Sequence, residues 1–336
     1  MTDAQLIKAA IAGNQAAFAE LVQPHQRLVH AHCYRMLGSL QDAEDAVQET
    51  LLRAWRNLSS FEARSSLRSW LYSIATNVCL RAIERRPSRV LPIDYGPPAD
   101  PHQPIQAPLL ESVWMDPYPD EQLGLEDGLA GPEARYEQRE TIELAFVAAL
   151  QLLPPRQRAV LILRDVLGFS GAEVAEALET TPASVYSALQ RAHATLDERR
   201  PERSQQATLR SLGDEQLTEI VARYVEAWAR SDVDTIVGML TDTATLAMPP
   251  IPSWYHGRDA IERVLRSAVF DGARSWRMLP TAANGQLAVG AYELDSSGVY
   301  APHGVTVLTL EAERIDEIIH FRTPSMVEAF RLPAQA

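Results

Sequence analysis

Cysteine is nearly absent from this chain: 336 residues hold only Cys33 and Cys79. Two thiols build neither a disulfide framework nor a four-ligand zinc site. Both sit in apolar helical contexts, which predicts buried, reduced thiols. Long apolar runs are missing too, and none approaches the ~20 residues of a bilayer span. The N-terminal MTDAQLIKAAIAGNQAAF lacks a basic stretch followed by an apolar core, so a secretory signal is not expected. Together these absences predict a cytoplasmic protein without membrane contact. No internal repeat is visible. The length predicts two or three domains.

Positive charge is also scarce. Lys and Arg total 31 against 44 Asp and Glu, a net charge of -13, which argues against wholesale non-specific binding to nucleic acid. The distribution is uneven. Residues 1–90 carry 11 basic and 8 acidic side chains, residues 91–140 carry 2 and 11, residues 141–203 carry 7 and 8, and residues 204–336 carry 11 and 17. The one basic block comes first, and an acidic segment follows it.

Residues 1–88 read as all helix. Phe18, Leu21 and Val22, then Leu28 and Val29, recur at helical spacing. Gly38-Ser39 interrupts the pattern, a new helix opens near Asp42, and Pro87 closes the last one. Residues 89–132 contain prolines at 92, 97, 98, 101, 104, 108, 117, 119 and 132 and read as an extended linker, mobile when free. Within it, VWMDPYPD (113–120) is a compact aromatic motif, suited either to packing on a neighbouring domain or to docking elsewhere. Helix resumes near Glu133 and runs to Leu153. Pro154-Pro155 starts the next element, with breaks at Gly168 and at Thr180-Thr181-Pro182, and a polar connector covers 199–206. From Asp214 the pattern changes: helices over about 214–230, 233–240 and 258–270 precede β-like runs at 286–294, 304–312 and 314–322. Helices followed by strands predict a separate α+β domain.

Two stretches carry the chemistry. In DAEDAVQETLLRAWRNLSSFEARSSLRSWLYSIATNVCLRAIERR (42–86), Asp42, Asp45 and Glu49 share one helix face. Downstream, Trp55, Phe61, Trp70 and Tyr72 interleave with Arg53, Arg56, Arg64, Arg68, Arg81, Arg85 and Arg86, and Arg89 follows. Guanidinium neutralises phosphate, and aromatic faces stack on unpaired bases for about 1–3 kcal/mol each. In SGAEVAEALETTPASVYSALQRAHATL (170–196), Ser170 and Glu173 have capping-box spacing, Thr180-Thr181-Pro182 makes a turn, and Pro182 suits the first turn of a helix. Val185, Leu189 and Ala192 then face inward, leaving Ala183, Ser184, Tyr186, Ser187, Gln190 and Arg191 outward, as in a helix-turn-helix.

The two stretches, in this order and with LPPRQRAVLILRDVLGFS before the second, resemble a bacterial RNA polymerase sigma factor of the extracytoplasmic-function (group 4) class. The resemblance implies two all-α sigma domains, residues 1–88 binding core polymerase and the -10 element and residues 133–203 binding the -35 element. Asp42, Asp45, Gln48, Glu49 and Leu52 would then face polymerase. Asn57 to Arg64 would form a loop that receives a flipped base, with Trp70 and Asn77 beside it and Arg68, Arg81 and Arg85 on DNA. Ser184, Tyr186, Ser187, Gln190 and Arg191 would read the -35 element. The chain departs from the family where it has Tyr186 and Ala188 at positions that usually carry basic residues. The linker of a two-domain sigma factor threads the polymerase cleft, where net negative charge can imitate RNA.

Residues 210–336 resemble a SnoaL-like cone-fold domain, on the strength of EAWARSDVDTIVGMLTDTATLAMPP and YHGRDAIERVL. A cone encloses a pocket; Trp228, Met239, Met248, Trp254, Tyr255, Trp276, Tyr292, His303 and His320 are candidates to line it, and a small-molecule ligand is the expectation that follows. Asp242, His256 and His320 supply possible acid–base groups, but no spacing singles out a pair. The expected function is a sigma factor without enzymatic activity, cofactor or metal, regulated by its fused C-terminal domain. Two alternatives stand beside it. The cone domain would be an enzyme on a polyketide- or steroid-like molecule, or the chain would be a helix-turn-helix repressor; the acidic face at 42–49 speaks against the repressor.

Overall fold

The computed structural model describes residues 1–61, 66–109, 113–123, 139–197, 204–272 and 274–336. The chain divides into two compact units. The first comprises 1–89, 122–128 and 145–200; the second comprises 90–121, 129–144 and 201–336.

The first unit is helical. Helix α1 (Asp3–Ile11) opens with a capping box between Thr2 and Gln5. Helix α2 (Gln15–Leu37) is capped by Asn14 and ends at Gly38 with φ +68°. Only glycine adopts that backbone without strain. A Cβ there would also crowd the Gln151 side chain at 3.2 Å. Helices α3 (Leu40–Asn57) and α4 (Leu67–Ile83) start at Ser39 and Ser66, whose hydroxyls accept the N–H of Asp42 and Ser69. The centre of α2 packs on α4 around Cys33, Tyr34, Met36, Leu71, Tyr72, Ala75 and Cys79, all buried. Both thiols are free.

The same unit continues with α5 (Leu144–Leu152), α6 (Pro155–Leu161), α7 (Gly171–Ala177) and α8 (Pro182–Asp197). Helix α6 runs on through a wider turn over Ile162–Val166. The Ser170–Glu173 capping box forms, with bonds of 2.8 and 3.2 Å. Val185 and Ala192 are buried, and Ser184, Tyr186, Ser187, Gln190 and Arg191 are exposed. Arg158 joins the two halves of this unit. Its guanidinium is buried and donates to the carbonyls of Met36, Gln151 and Leu153 and to Gln151 Oε1. Gln151 in turn donates to Arg35 O at 3.1 Å. Four acceptors satisfy a charge that would otherwise be costly to bury.

The second unit is built on a six-stranded sheet of β1 (Leu240–Ala247), β2 (Trp254–His256), β3 (Trp276–Ala283), β4 (Gln286–Leu294), β5 (Tyr300–Glu311) and β6 (Arg314–Phe321). Strand order is β2-β1-β6-β5-β4-β3. Only β1 and β6 run parallel. Helix α9 (Gln205–Ala229) changes direction at Gly213, where φ is +78°. With α10 (Val233–Gly238) and α11 (Arg258–Val264) it packs against the sheet around Tyr224, Trp228, Ile236, Leu240, Ile261, Trp276, Leu308 and Ile318. A last helix, α12 (Pro324–Ala329), packs on β5.

Residues 90–121 belong to this second unit and are fastened to it as a strap. Trp254 Nε1 donates to Gly96 O, Ala99 N to Trp254 O, and Leu109 N to Pro250 O, at 2.7–2.8 Å. Tyr118 and Asn284 exchange two bonds of 2.8 Å, and Gly285 N donates to Asp120 Oδ1 at 2.7 Å. Trp114, Met115 and Tyr118 are buried, each worth about 1.5–3 kcal/mol. Of the two readings of VWMDPYPD, packing on a domain is the one realised, and for 90–109 and 113–121 the structure replaces a free linker with a bound one. The expected helix start near Glu133, the connector over 199–203 and Arg64 lie outside the described residues.

Candidate functional site

Helices α3 and α4 form the two walls of a groove of about 300 Å³. Asp42, Asp45, Glu49 and Arg53 line one wall; Arg81, Arg85 and Arg86 line the other. The i, i+3, i+7 spacing of the carboxylates therefore does place them together, but they are not equivalent. Asp42 is buried and held by Arg86 and Arg89, the latter at 2.6 Å. It fastens α3 to the end of α4 and is not free to meet a partner. Glu49 pairs with Arg53 one turn on, at 2.6 Å. Asp45, Gln48 and Leu52 are exposed, and Leu52 is a large apolar side chain left half in solvent.

The expected DNA face splits as well. Arg81, Arg85 and Asn57 are exposed. Trp70 is partly buried, packs on Phe61 with ring centroids 5.1 Å apart, and joins the cluster of Leu6, Leu21 and Leu58. Arg68 and Asn77 are engaged by the helix-turn-helix half of the same unit. Arg68 Nη2 donates to Leu167 O at 2.8 Å, and its guanidinium lies over the Phe169 ring at 4.6 Å. Asn77 Nδ2 donates to Ala177 O at 3.2 Å, and Ser69 Oγ to Glu173 at 3.2 Å. On α8, Arg191 donates to Ser187 Oγ, and Ser184 N to Thr181 Oγ1. Tyr186 projects freely, 55% exposed.

In the second unit, Trp228, Met248, Trp276, His303 and His320 line a common cavity together with Tyr224, Arg274, Thr306 and Arg322. Trp254, Tyr255 and Tyr292 do not. Trp254 carries the strap, Tyr255 is sunk in the core, and Tyr292 Oη donates to Pro333 O at 2.7 Å. Met239 is likewise core. His303 Nδ1 and His320 Nε2 are 2.8 Å apart with rings stacked, and His320 Nδ1 meets Thr306 Oγ1 at 2.8 Å. Burial, then the nearby arginines, push the His303 imidazole down to about 4. Burial, then the His303 ring, hold the His320 imidazole well below its usual range, so both rings are neutral at pH 7. Asp242 and His256 come together in a different, open pocket with Arg258, which pairs with Asp242 at 2.9 Å. They share no cavity with His320.

Residues 21–89 match the model of Sigma-70 region 2, residues 143–196 that of Sigma-70 region 4, and residues 221–318 that of a SnoaL-like domain. The ECF RNA polymerase sigma factor SigG of Mycobacterium tuberculosis is 41% identical over 320 residues, 94% of this chain and 84% of that protein. The chain belongs to the ECF RNA polymerase sigma factors. SigM of the same organism is 31% identical over 195 residues, covering 58% of this chain and 83% of SigM. The crystal structure of M. tuberculosis SigJ shares the fold across 94% of this chain and 99% of that one, with a TM-score of 0.56 and 22% identity. No helix among the described residues is long and apolar enough to cross a membrane.

Sequence reasoning missed two groups in this sigma factor. The Arg158–Gln151 node left no local pattern, because what it joins are the Arg35 and Met36 carbonyls of α2, more than 110 residues away. Tyr224, Arg274 and Arg322 were absent from the candidate pocket list. Arg322 was reachable, since it follows His320 at strand spacing and so shares its face.

Proposed function

We propose that this sigma factor binds core RNA polymerase through the exposed Asp45, Gln48 and Leu52 and the partly exposed Glu49, melts promoter DNA with the basic face of α4, and reads the -35 element with Ser184, Tyr186, Ser187, Gln190 and Arg191. The observation that carries this reading is the α3–α4 groove, where an acidic ridge and an arginine-bearing wall adjoin in one domain. Polymerase and DNA are thereby offered neighbouring surfaces of opposite sign. Asp42 supports the groove from within. Arg68 and Asn77 reach DNA only after α7 and its preceding loop leave them, so the arrangement described here is a closed form of the helical unit.

The C-terminal domain acts as a regulator and not as an enzyme, and the protein works in the cytoplasm. Its two cavity histidines are neutral and bonded to each other and to Thr306, and the Asp242–His256 pair sits elsewhere. Glu293 comes within 3.8 Å of His303 but is shared with Arg274 at 3.4 Å and does not line the cavity, which speaks against a proton-transfer pair there.

The test is run-off transcription with purified core polymerase, using full-length protein and its Asp45→Lys variant. Point variants are preferred to a truncation at 203, which would strip the strap of the domain it packs on. Wild type is expected to support initiation and Asp45→Lys to lose core binding. Failure of the wild type to bind core or to start transcripts on a genomic promoter library would sink the reading.

A further inference from the structure

The cavity of the C-terminal domain is small, about 60 Å³. An apolar cavity of about 150 Å³ is needed to take a benzene ring, so the space as it stands admits a few waters. One lining residue is not part of the cone: Ile105, from the strap, packs on the core cluster and completes the cavity wall. The strap is tied at Ala99 and at Leu109. Between those ties the described backbone bonding is a single local turn, Gln103 N to Asp100 O. Ile105 therefore sits at the middle of a loop anchored at both ends, and little holds it there except its own apolar contact.

The polar groups on the wall point to what would replace it. Tyr224 and Trp228 are more than nine-tenths buried, with ring centroids 5.9 Å apart and the Trp228 indole N–H turned to the Tyr224 hydroxyl oxygen. The Tyr224 hydroxyl proton then has no acceptor among the described residues, and leaving such a donor unmatched costs about 1–3 kcal/mol. Arg322 is partly buried and shares the Glu293 carboxylate with Arg274, which lies 3.4 Å from it. The two histidines spend their ring nitrogens on each other, on Thr306 and near Glu293. The wall thus holds one neutral donor to spare and two guanidiniums that share a single carboxylate, Glu293. Apolar surface surrounds them: Leu246, Met248, Leu265, Val269, Met278 and Ile318. A spare donor and two arginines against one carboxylate, in an apolar pocket, fit an anionic acceptor on an apolar body.

We propose that this cavity binds a small organic acid, a carboxylate on a ring- or chain-sized apolar body, and that the acid enters by displacing Ile105 and loosening the strap between Ala99 and Leu109. The proposal rests on the reading of the C-terminal domain as a regulator. It supplies that domain with a ligand class and a moving part, because occupancy of the cavity and seating of Ile105 exclude one another. The strap is the segment that joins the two sigma regions in sequence, so ligand binding acts on the sigma factor's own connector.

The experiment is calorimetric titration of the full-length protein with octanoate, phenylbutyrate and naphthoate, each beside its uncharged primary amide. At least one acid is expected to bind one per chain and about tenfold more tightly than its amide. Ile105→Ala removes the competing occupant and is expected to tighten binding about tenfold. Arg322→Gln is expected to weaken the acid and leave the amide unchanged. Amide hydrogen exchange across 99–109 should quicken on binding in the wild type. Absence of binding by every acid to both wild type and Ile105→Ala overturns the proposal. Equal affinity for acid and amide overturns anion recognition, and unchanged affinity in Ile105→Ala overturns displacement. No polymerase or DNA enters these titrations, so their failure leaves the transcription test untouched.

Discussion

Asn77 donates its side-chain amide to the carbonyl of Ala177, at 3.2 Å, as well as to Ser73 in its own helix at 3.0 Å. A side chain expected on the -10 element is thus held by the end of the first helix of the helix-turn-helix. The bond is partly buried, and a net contribution of about 0.5–1.5 kcal/mol is the usual range. Replacing Asn77 with Ala should shift the helical unit toward an open form by roughly two- to tenfold. Fluorescent labels on exposed Arg85 and Ser187 would read this as a larger low-transfer population. An unchanged distance distribution would show that the bond does not hold the unit closed.

Asp42 and Asp45 share a helix face but should answer to different assays. Asp42 is buried between Arg86 and Arg89. Removing it leaves two guanidiniums, one of them largely enclosed, without their carboxylate, a loss of about 3 kcal/mol or more where burial is complete. Asp42→Ala should therefore lower the urea midpoint of the first unit. Asp45→Ala should leave the unfolding free energy within about 0.5 kcal/mol of wild type and weaken binding to core polymerase instead. Equal stability of the two variants would show that Asp42 is not structural.

Burial drives the His32 imidazole down to about 3 and that of His30 to about 4. His32 is fully buried, with Nε2 at 2.9 Å from Thr76 Oγ1. The folded pKa lies below the unfolded value of about 6.5. Above pH 6.5 both states are neutral and these groups add no pH dependence. As the pH falls below 6.5 the unfolded chain takes up protons that the folded chain refuses, and stability is lost until the folded pKa is reached. Each group contributes a slope of up to about 1.4 kcal/mol per pH unit in that window. Thermal unfolding of His32→Gln between pH 6.5 and 5 should show a shallower loss than the wild type. Parallel profiles would remove His32 as a cause.

The helical half of this protein was legible because its signals are local. The cap at Ser170, the break at Gly38-Ser39 and the inward positions Val185 and Ala192 each depend on neighbours within a turn. The C-terminal sheet was legible only in part. Strands β4, β5 and β6 appeared as apolar runs, but β3 did not, because Pro280 lies inside it. That proline is tolerated since β3 is an edge strand. Strand β1, LTDTATLA, was hidden behind a helix-like run and is fixed by its parallel pairing with β6, some 70 residues away in sequence. The strap was the least legible. Its composition is that of a mobile linker, and it is ordered by bonds to Trp254, Pro250 and Asn284, more than 130 residues further on. The same non-local packing separated Trp228, Trp276 and His320, which meet in the cavity, from Tyr255 and Tyr292, which do not.

Tyr186 offers a direct test of how the recognition helix holds DNA. It projects from α8 at 55% exposure, with Ser187 and Gln190 beside it and Arg191 one turn away. A helix with one arginine on its outward face gains little from counterion release, so its binding to the -35 element should depend weakly on salt. Tyr186→Arg adds a phosphate-neutralising charge at an exposed position that packs on nothing essential. Its hydroxyl lies over Gly171, where an added Cβ would meet it at 3.1 Å, and a longer flexible side chain leaves that contact without strain. The variant should steepen the slope of log affinity against log salt by about 0.9 and raise affinity uniformly across promoter sequences. Holoenzyme titrations on a fixed promoter at several salt concentrations measure the slope directly. A gain confined to one base pair would instead make position 186 a reader of sequence, and an unchanged slope would take this face of α8 off the DNA.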